Sequence, residues 1–197
     1  MRWLAGSLLV VTAVGCGAGG AAQDGAGPGV AVVTVDSIFP MPEMIARFQA
    51  RVGAPVAGLP ASSATSREDL VERFVRAVED SSSVALRGLR MDAREYAYLY
   101  VPTSRMTGEP YRQPPELGWL LVEQNGLKGE ARVLRRFGGR SLGYRGHACG
   151  EPVVEGTNTL WEDCTLDLDV HDVPIRLFGT ILERDGRYAL VSIANDL

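Results

Sequence analysis

The sequence predicts an α+β domain in which a run of helices precedes an antiparallel sheet. Three observations carry this reading. In the first half, apolar residues recur every three or four positions, as Leu70, Val71, Phe74, Val75 and Val78 do. Near residue 144 the period changes to two, the spacing of strands with one buried face. Asp185-Gly186 stands between two strand-like runs, a strong two-residue hairpin signal.

The elements follow in order. "FPMPEMIARFQARVG" has Pro42 near its start and Gly53 past its end, the usual asymmetry of helix termini, with Met41, Met44, Ile45 and Phe48 on one face. Residues 54–65 form a connector. Ser66 then caps a second helix, and Asp69 sits at the reciprocal capping-box position. "SVALRGL" supplies a short helical turn. In "MDAREYAYLYVP", Tyr96, Tyr98 and Tyr100 alternate as in a strand, whereas Asp92 with Glu95 forms a capping box. The helix is preferred, ending at Pro102. "PPELGWLLVEQNG" and "LKGEARVLRRFGG" read as two further helices, punctuated at Asn125-Gly126 and Gly138-Gly139.

"SLGYRGHAC" begins the strands. "TLWEDCTLDLDV" reads as one strand, with Leu160, Cys164, Leu166, Leu168 and Val170 inward and Trp161, Asp163, Thr165, Asp167 and Asp169 outward. "GEPVVEGTN" is the connection before it. "PIRLFGTILE" and "RYALVSIA" complete a sheet of about four strands, with the helices expected on one face.

The N-terminus supplies an address. Arg2 precedes an apolar run at residues 4–14, too short to span a bilayer and suited to a signal-peptide core. "AVGC", residues 13–16, resembles a bacterial lipobox, with Ala13 where that motif usually has Leu. The resemblance implies cleavage before Cys16 and lipidation there, anchoring the protein without a transmembrane helix. Gly17, rather than Asp, points to the outer membrane and its periplasmic face. Residues 16–36, rich in Gly and Ala, read as a tether. The expected organisation is a signal peptide at 1–15, a tether at 16–36 and one domain at 37–197.

The net charge is −4, and residues 1–64 carry equal numbers of acidic and basic side chains, so the domain is mildly acidic. This argues against nucleic acid, which needs a clustered basic surface. The densest basic segment, "RVLRRFGGR", reads as a solvated helix face.

Helices followed by a meander, ending in "LFGTILERDGRYALVSIANDL", resemble the NTF2-like fold, also called SnoaL-like or cystatin-like, over residues 65–197. With "EYAYLYVP" and "LRRFGG", that ending also resembles a family of bacterial lipoproteins to which no activity attaches. The resemblance implies helices filling the concave side of a curved sheet. Enzymes of the fold place acids and tyrosines inside that cone. For such chemistry this chain offers Tyr96, Tyr98, Tyr100, Tyr144, His147 and Asp163, and the expected pocket is Tyr96, Tyr100, Trp119, Tyr144 and His147.

Residues 139–143 match G-x-S-x-G, but a helix precedes the serine and a strand follows, the reverse of a nucleophile elbow. His147, Cys149, Cys164 and His171 are ligand types for tetrahedral zinc, without the spacing of known sites. Cys149 with His147 has no evident third residue to orient it as a nucleophile pair. The expectation is therefore no metal, no cofactor and no catalytic residue. If Cys16 is lipidated and the chain exported, Cys149 and Cys164 remain as a single possible disulfide pair. The expected role is non-catalytic, binding a protein partner or a small ligand in the envelope. The alternative is an NTF2-like isomerase or hydrolase with a polar cavity.

Overall fold

Helices come first and strands second in the computed structural model, which describes residues 39–194. The signal segment, Cys16 and the tether lie outside the described residues. Five helices, α1 (Met41–Val52), α2 (Arg67–Glu79), α3 (Ser83–Gly88), α4 (Ala93–Glu95) and α5 (Pro115–Phe137), precede six strands. The strands are β1 (Tyr144–Ala148), β2 (Val153–Glu155), β3 (Asn158–Trp161), β4 (Thr165–Leu168), β5 (Ile181–Arg184) and β6 (Arg187–Leu190). The class is α+β. No helix among the described residues is long and apolar enough to cross a membrane.

Local chemistry sets the helix starts. Ser66 Oγ accepts from the Asp69 amide at 3.0 Å. The short Asp69 side chain does not return to Ser66; it accepts from the Thr65 amide at 2.9 Å instead. Asp92 and Glu95 form both arms of a capping box, so the tyrosine run begins as a helix. It continues as a π-helical turn, Tyr96–Tyr100, and Pro102 lies within the 3₁₀ turn that follows rather than ending the helix.

The sheet is divided. β1 pairs only with β4, while β2-β3-β5-β6 form a separate antiparallel sheet. Three expectations change here. "TLWEDCTLDLDV" is two strands, broken where Asp163 adopts a positive φ of 52°. "GEPVVEGTN" contains β2 and turns at Gly156 into β3, rather than being an irregular connection. Residues 174–179 pair with other segments only as isolated bridges at Ile175 and Phe178, so the "PIRLFG" half of the expected strand is not one. The Asp185-Gly186 hairpin is present, with φ of 52° and 71° at its two turn residues, both in the left-handed region that a type I′ turn requires.

The four-stranded sheet is buried on both faces, whereas the sequence places helices on one. Ile181 and Leu190, a registered pair, join a core with Leu70, Phe74 and Val78 of α2. Phe74 meets Phe178 edge to face at 5.2 Å. The opposite face presents Leu160, Leu182 and Ala189, which pack with Met91 and Leu99. Here Asn158 Nδ2 donates to the Leu99 carbonyl at 2.7 Å, satisfying a backbone group beside the π-helical turn.

Asn125-Gly126 does not separate two helices. α5 runs unbroken for 23 residues because its glycines are contact positions rather than breaks. Gly118, Gly126 and Gly129 are buried on its inner face. A Cβ at Gly126 would lie 2.4 Å from the Arg90 guanidinium, and one at Gly129 would lie 2.5 Å from the Ala194 carbonyl oxygen. Alanine favours a helix interior by about 1 kcal/mol over glycine. We nevertheless expect Gly129→Ala to lose about 1–3 kcal/mol by overpacking against backbone, with Lys128→Ala nearly neutral. Urea unfolding of the two variants checks this; equal midpoints would refute the close-packing role.

Candidate functional site

The expected pocket residues fall into two places. Tyr96 and Tyr100 stack at 5.1 Å on the π-helical turn and line a cleft of about 310 Å³. Its other walls come from Gly118, Leu121 and Val122 of α5 and from Gly179, Ser192 and Ile193 near the end of the described chain. Trp119 packs against Tyr96 at 5.4 Å, behind the lining. Tyr98 points away, its hydroxyl donating to the Gly53 carbonyl at 2.9 Å and securing the end of α1.

The cleft is polar without being acidic. Gln113, Asn125 and Ser192 contribute amides and a hydroxyl, Arg176 a guanidinium, and no Asp, Glu or His lines it among the described residues. Burial pushes the Tyr96 phenol well above its usual range, with Tyr100 beside it adding to the effect, so it is a neutral hydroxyl at any ordinary pH. Gly118 makes this hydroxyl's position possible, since a Cβ there would stand 2.6 Å from it. Sequence reasoning missed Gln113, Asn125, Arg176 and Ser192. The helical spacing of Gly118, Gly126 and Gly129 was the available signal that this face of α5 meets other chain closely.

Tyr144 and His147 lie elsewhere, where β1 meets α2. Tyr144 Oη donates to Glu68 Oε1 at 3.0 Å and lies 2.9 Å from His147 Nδ1. His147 Nδ1 is also 3.3 Å from Glu68 Oε2. An acid, a phenol and an imidazole therefore converge, but Glu68 is half exposed and the group does not line the cleft. Burial lowers the His147 pKa, the Glu68 carboxylate opposes that shift, and Arg67 adds to it.

Cys149 and Cys164 are disulfide-bonded, 2.03 Å between sulfurs. They follow the last registered pair of the ribbon, Ala148 with Thr165, and so close its end. With both sulfurs joined, neither is a thiolate for zinc or for nucleophilic attack. His171 is engaged locally, its Nδ1 2.8 Å from the Val173 carbonyl oxygen. Ser141 of the G-x-S-x-G match lies between α5 and β1, its Oγ 3.5 Å from Glu79 Oε1. No histidine or cysteine stands near it as a base among these contacts. No group of three or more His, Cys, Asp or Glu positioned for a metal occurs among the described residues. Asp163 serves the turn rather than a pocket.

No family model, curated protein or solved structure matches this chain.

Two outcomes follow. Opening the disulfide, by Cys149→Ser with Cys164→Ser, should cost about 3 kcal/mol for a loop of this size; denatured, unreduced protein should leave both residues unlabelled by a thiol reagent, and labelling of both would refute the bond. His147 titrates lower when folded than its unfolded value near 6.5. Between those two values the unfolded chain binds more protons, so stability is full above about pH 6.5 and declines as pH falls below it. A pH series of unfolding midpoints should flatten in His147→Gln; an unchanged slope would remove His147 as the cause.

Proposed function

We propose that this chain is a lipid-anchored protein of the bacterial envelope whose domain, NTF2-like in plan, binds a small ligand without catalysing its conversion. The address rests on the apolar run at residues 4–14 and the "AVGC" that ends it. Acylated Cys16 would hold the domain at the membrane, facing the periplasm. An oxidising compartment also suits the Cys149–Cys164 bond.

The cleft lined by Tyr96 and Tyr100 carries the binding reading. Apolar walls with a few convergent amides and hydroxyls are the usual make-up of a small-molecule site. Its described lining combines amides and hydroxyls with apolar side chains, so it suits a small ligand with a polar and an apolar part. Catalysis by general acid and base needs an ionisable pair at the bound substrate. Among the described residues the cleft offers no acid or histidine partner for Tyr96.

The enzyme alternative has one observation in its favour, the Glu68–Tyr144–His147 group. It stands outside the cleft, however, and holds β1 to α2 through side chains already bonded to one another.

Two measurements test the proposal. Mass spectrometry of the mature protein should find acyl groups at Cys16; an unmodified terminus elsewhere would defeat the anchor. Anilinonaphthalene sulfonate, an apolar anion, should bind the folded protein with saturation. Leu121→Trp, at an exposed position on the cleft wall, should weaken that binding at least about tenfold. Equal affinity in the variant would place the site elsewhere.

A further inference from the structure

α5 carries an apolar outer face that nothing among the described residues covers. Leu117, Leu120, Leu121 and Leu127 are 45%, 50%, 44% and 42% exposed. They lie opposite the buried Gly118, Gly126, Gly129 and Val133, over about 15 Å of helix.

The charges around this face are sorted by pairing. All three glutamates of α5 are neutralised by arginines of the domain body. Glu116 meets Arg51 at 2.9 Å, Glu123 meets Arg90 at 2.8 Å, and Glu130 meets Arg87 at 3.1 Å. Lys128, Arg132 and Arg135 take no carboxylate among the described residues. A chain of net charge −4 thus presents unpaired cations beside exposed leucines.

Phe39 lines one groove with Pro114, Pro115 and Glu116, at the first turn of α5. Arg47 stacks over Phe39 at 3.6 Å while its charge is paired with Glu43 at 2.7 Å.

We infer that the outer face of α5 docks on an anionic lipid surface, leucines in the interface and Lys128, Arg132 and Arg135 at the headgroups. Leucines flanked by basic residues on a helix lying in the interface plane are the requirements for such binding, and anionic lipid supplies the complementary charge. A second copy fits less well, because it would bring a like set of unpaired cations to the same patch. The inference rests on the envelope address proposed above.

The test uses the full chain, acylated, in vesicles of equal parts phosphatidylglycerol and phosphatidylcholine. A nitroxide is placed at Leu120→Cys or, as a control, at Val154→Cys on β2. The Leu120 label should be accessible to oxygen and at least about fivefold protected from a water-soluble nickel chelate, with the Val154 label open to the chelate. High salt should weaken the protection, since screening shortens the reach of the headgroup charge. A Leu120 label open to the chelate on vesicle-bound protein would overturn the inference. So would spin–spin broadening at Leu120 without vesicles, which identifies a second copy, or protection by a protein in lipid-free solution. Mass spectrometry of the same sample separates the two readings. A chain without acyl groups defeats the anchor, and its labels are then read with added vesicles, where Leu120 in water again overturns the docking face.

Discussion

The bond between Cys149 and Cys164 is the joint on which the two sheets depend. The chain leaves the β1–β4 ribbon at one cysteine and returns at the other. The fourteen residues between them carry the β2–β3 hairpin, whose inner strand pairs with β5. One crosslink therefore fixes where the ribbon ends and where the larger sheet gains two of its four strands. The Gly150 amide, donating to the Glu162 carbonyl at 2.9 Å, continues the closure one residue further. Without that joint, the ribbon and the larger sheet would be held together by the Leu166–Ile175 bridge, the core they share and the helices packed on them.

α5 is the second organising element, and it works by close approach. Its glycines admit the Arg90 guanidinium and the carbonyl oxygens of Ile193 and Ala194, while its glutamates bind arginines of the body. The inner face is thereby committed to the domain, and the outer face is left with leucines and cations. The cleft lies along the boundary between the two. Gly118 and Val122 form its floor side, and Leu121 belongs both to its wall and to the exposed face.

What could be read in advance was what short-range chemistry decides. Ser66, the Asp92–Glu95 box and Asp185-Gly186 act on neighbours within three or four residues, and each is found in its expected role. The cysteine pair was legible on the expectation that Cys16 is lipidated, which would leave only one partner for each. The glycines of α5 were not, because a glycine beside an asparagine reads as a turn until its partner is known, and Arg90 lies 36 positions away. The break at Asp163 was hidden for a different reason. Leu160, Leu166 and Leu168 keep the same alternation, yet they face different cores, so the pattern continues across a change of sheet. The cleft was half legible: Tyr96 and Tyr100 share a helical turn, whereas Gln113, Arg176 and Ser192 meet them only through the fold.

The two tryptophans of the described chain stand at the two places that matter most. Trp161 lies under the Arg67 guanidinium at 3.8 Å, three residues from Cys164. Trp119 leans on Tyr96 behind the cleft. Their surroundings differ in polarity and in nearby quenchers, sulfur for one and phenol for the other. The molecule thus contains its own optical reporters, one for the covalent joint and one for the cleft, and the state of each can be followed in light without attaching anything to the protein.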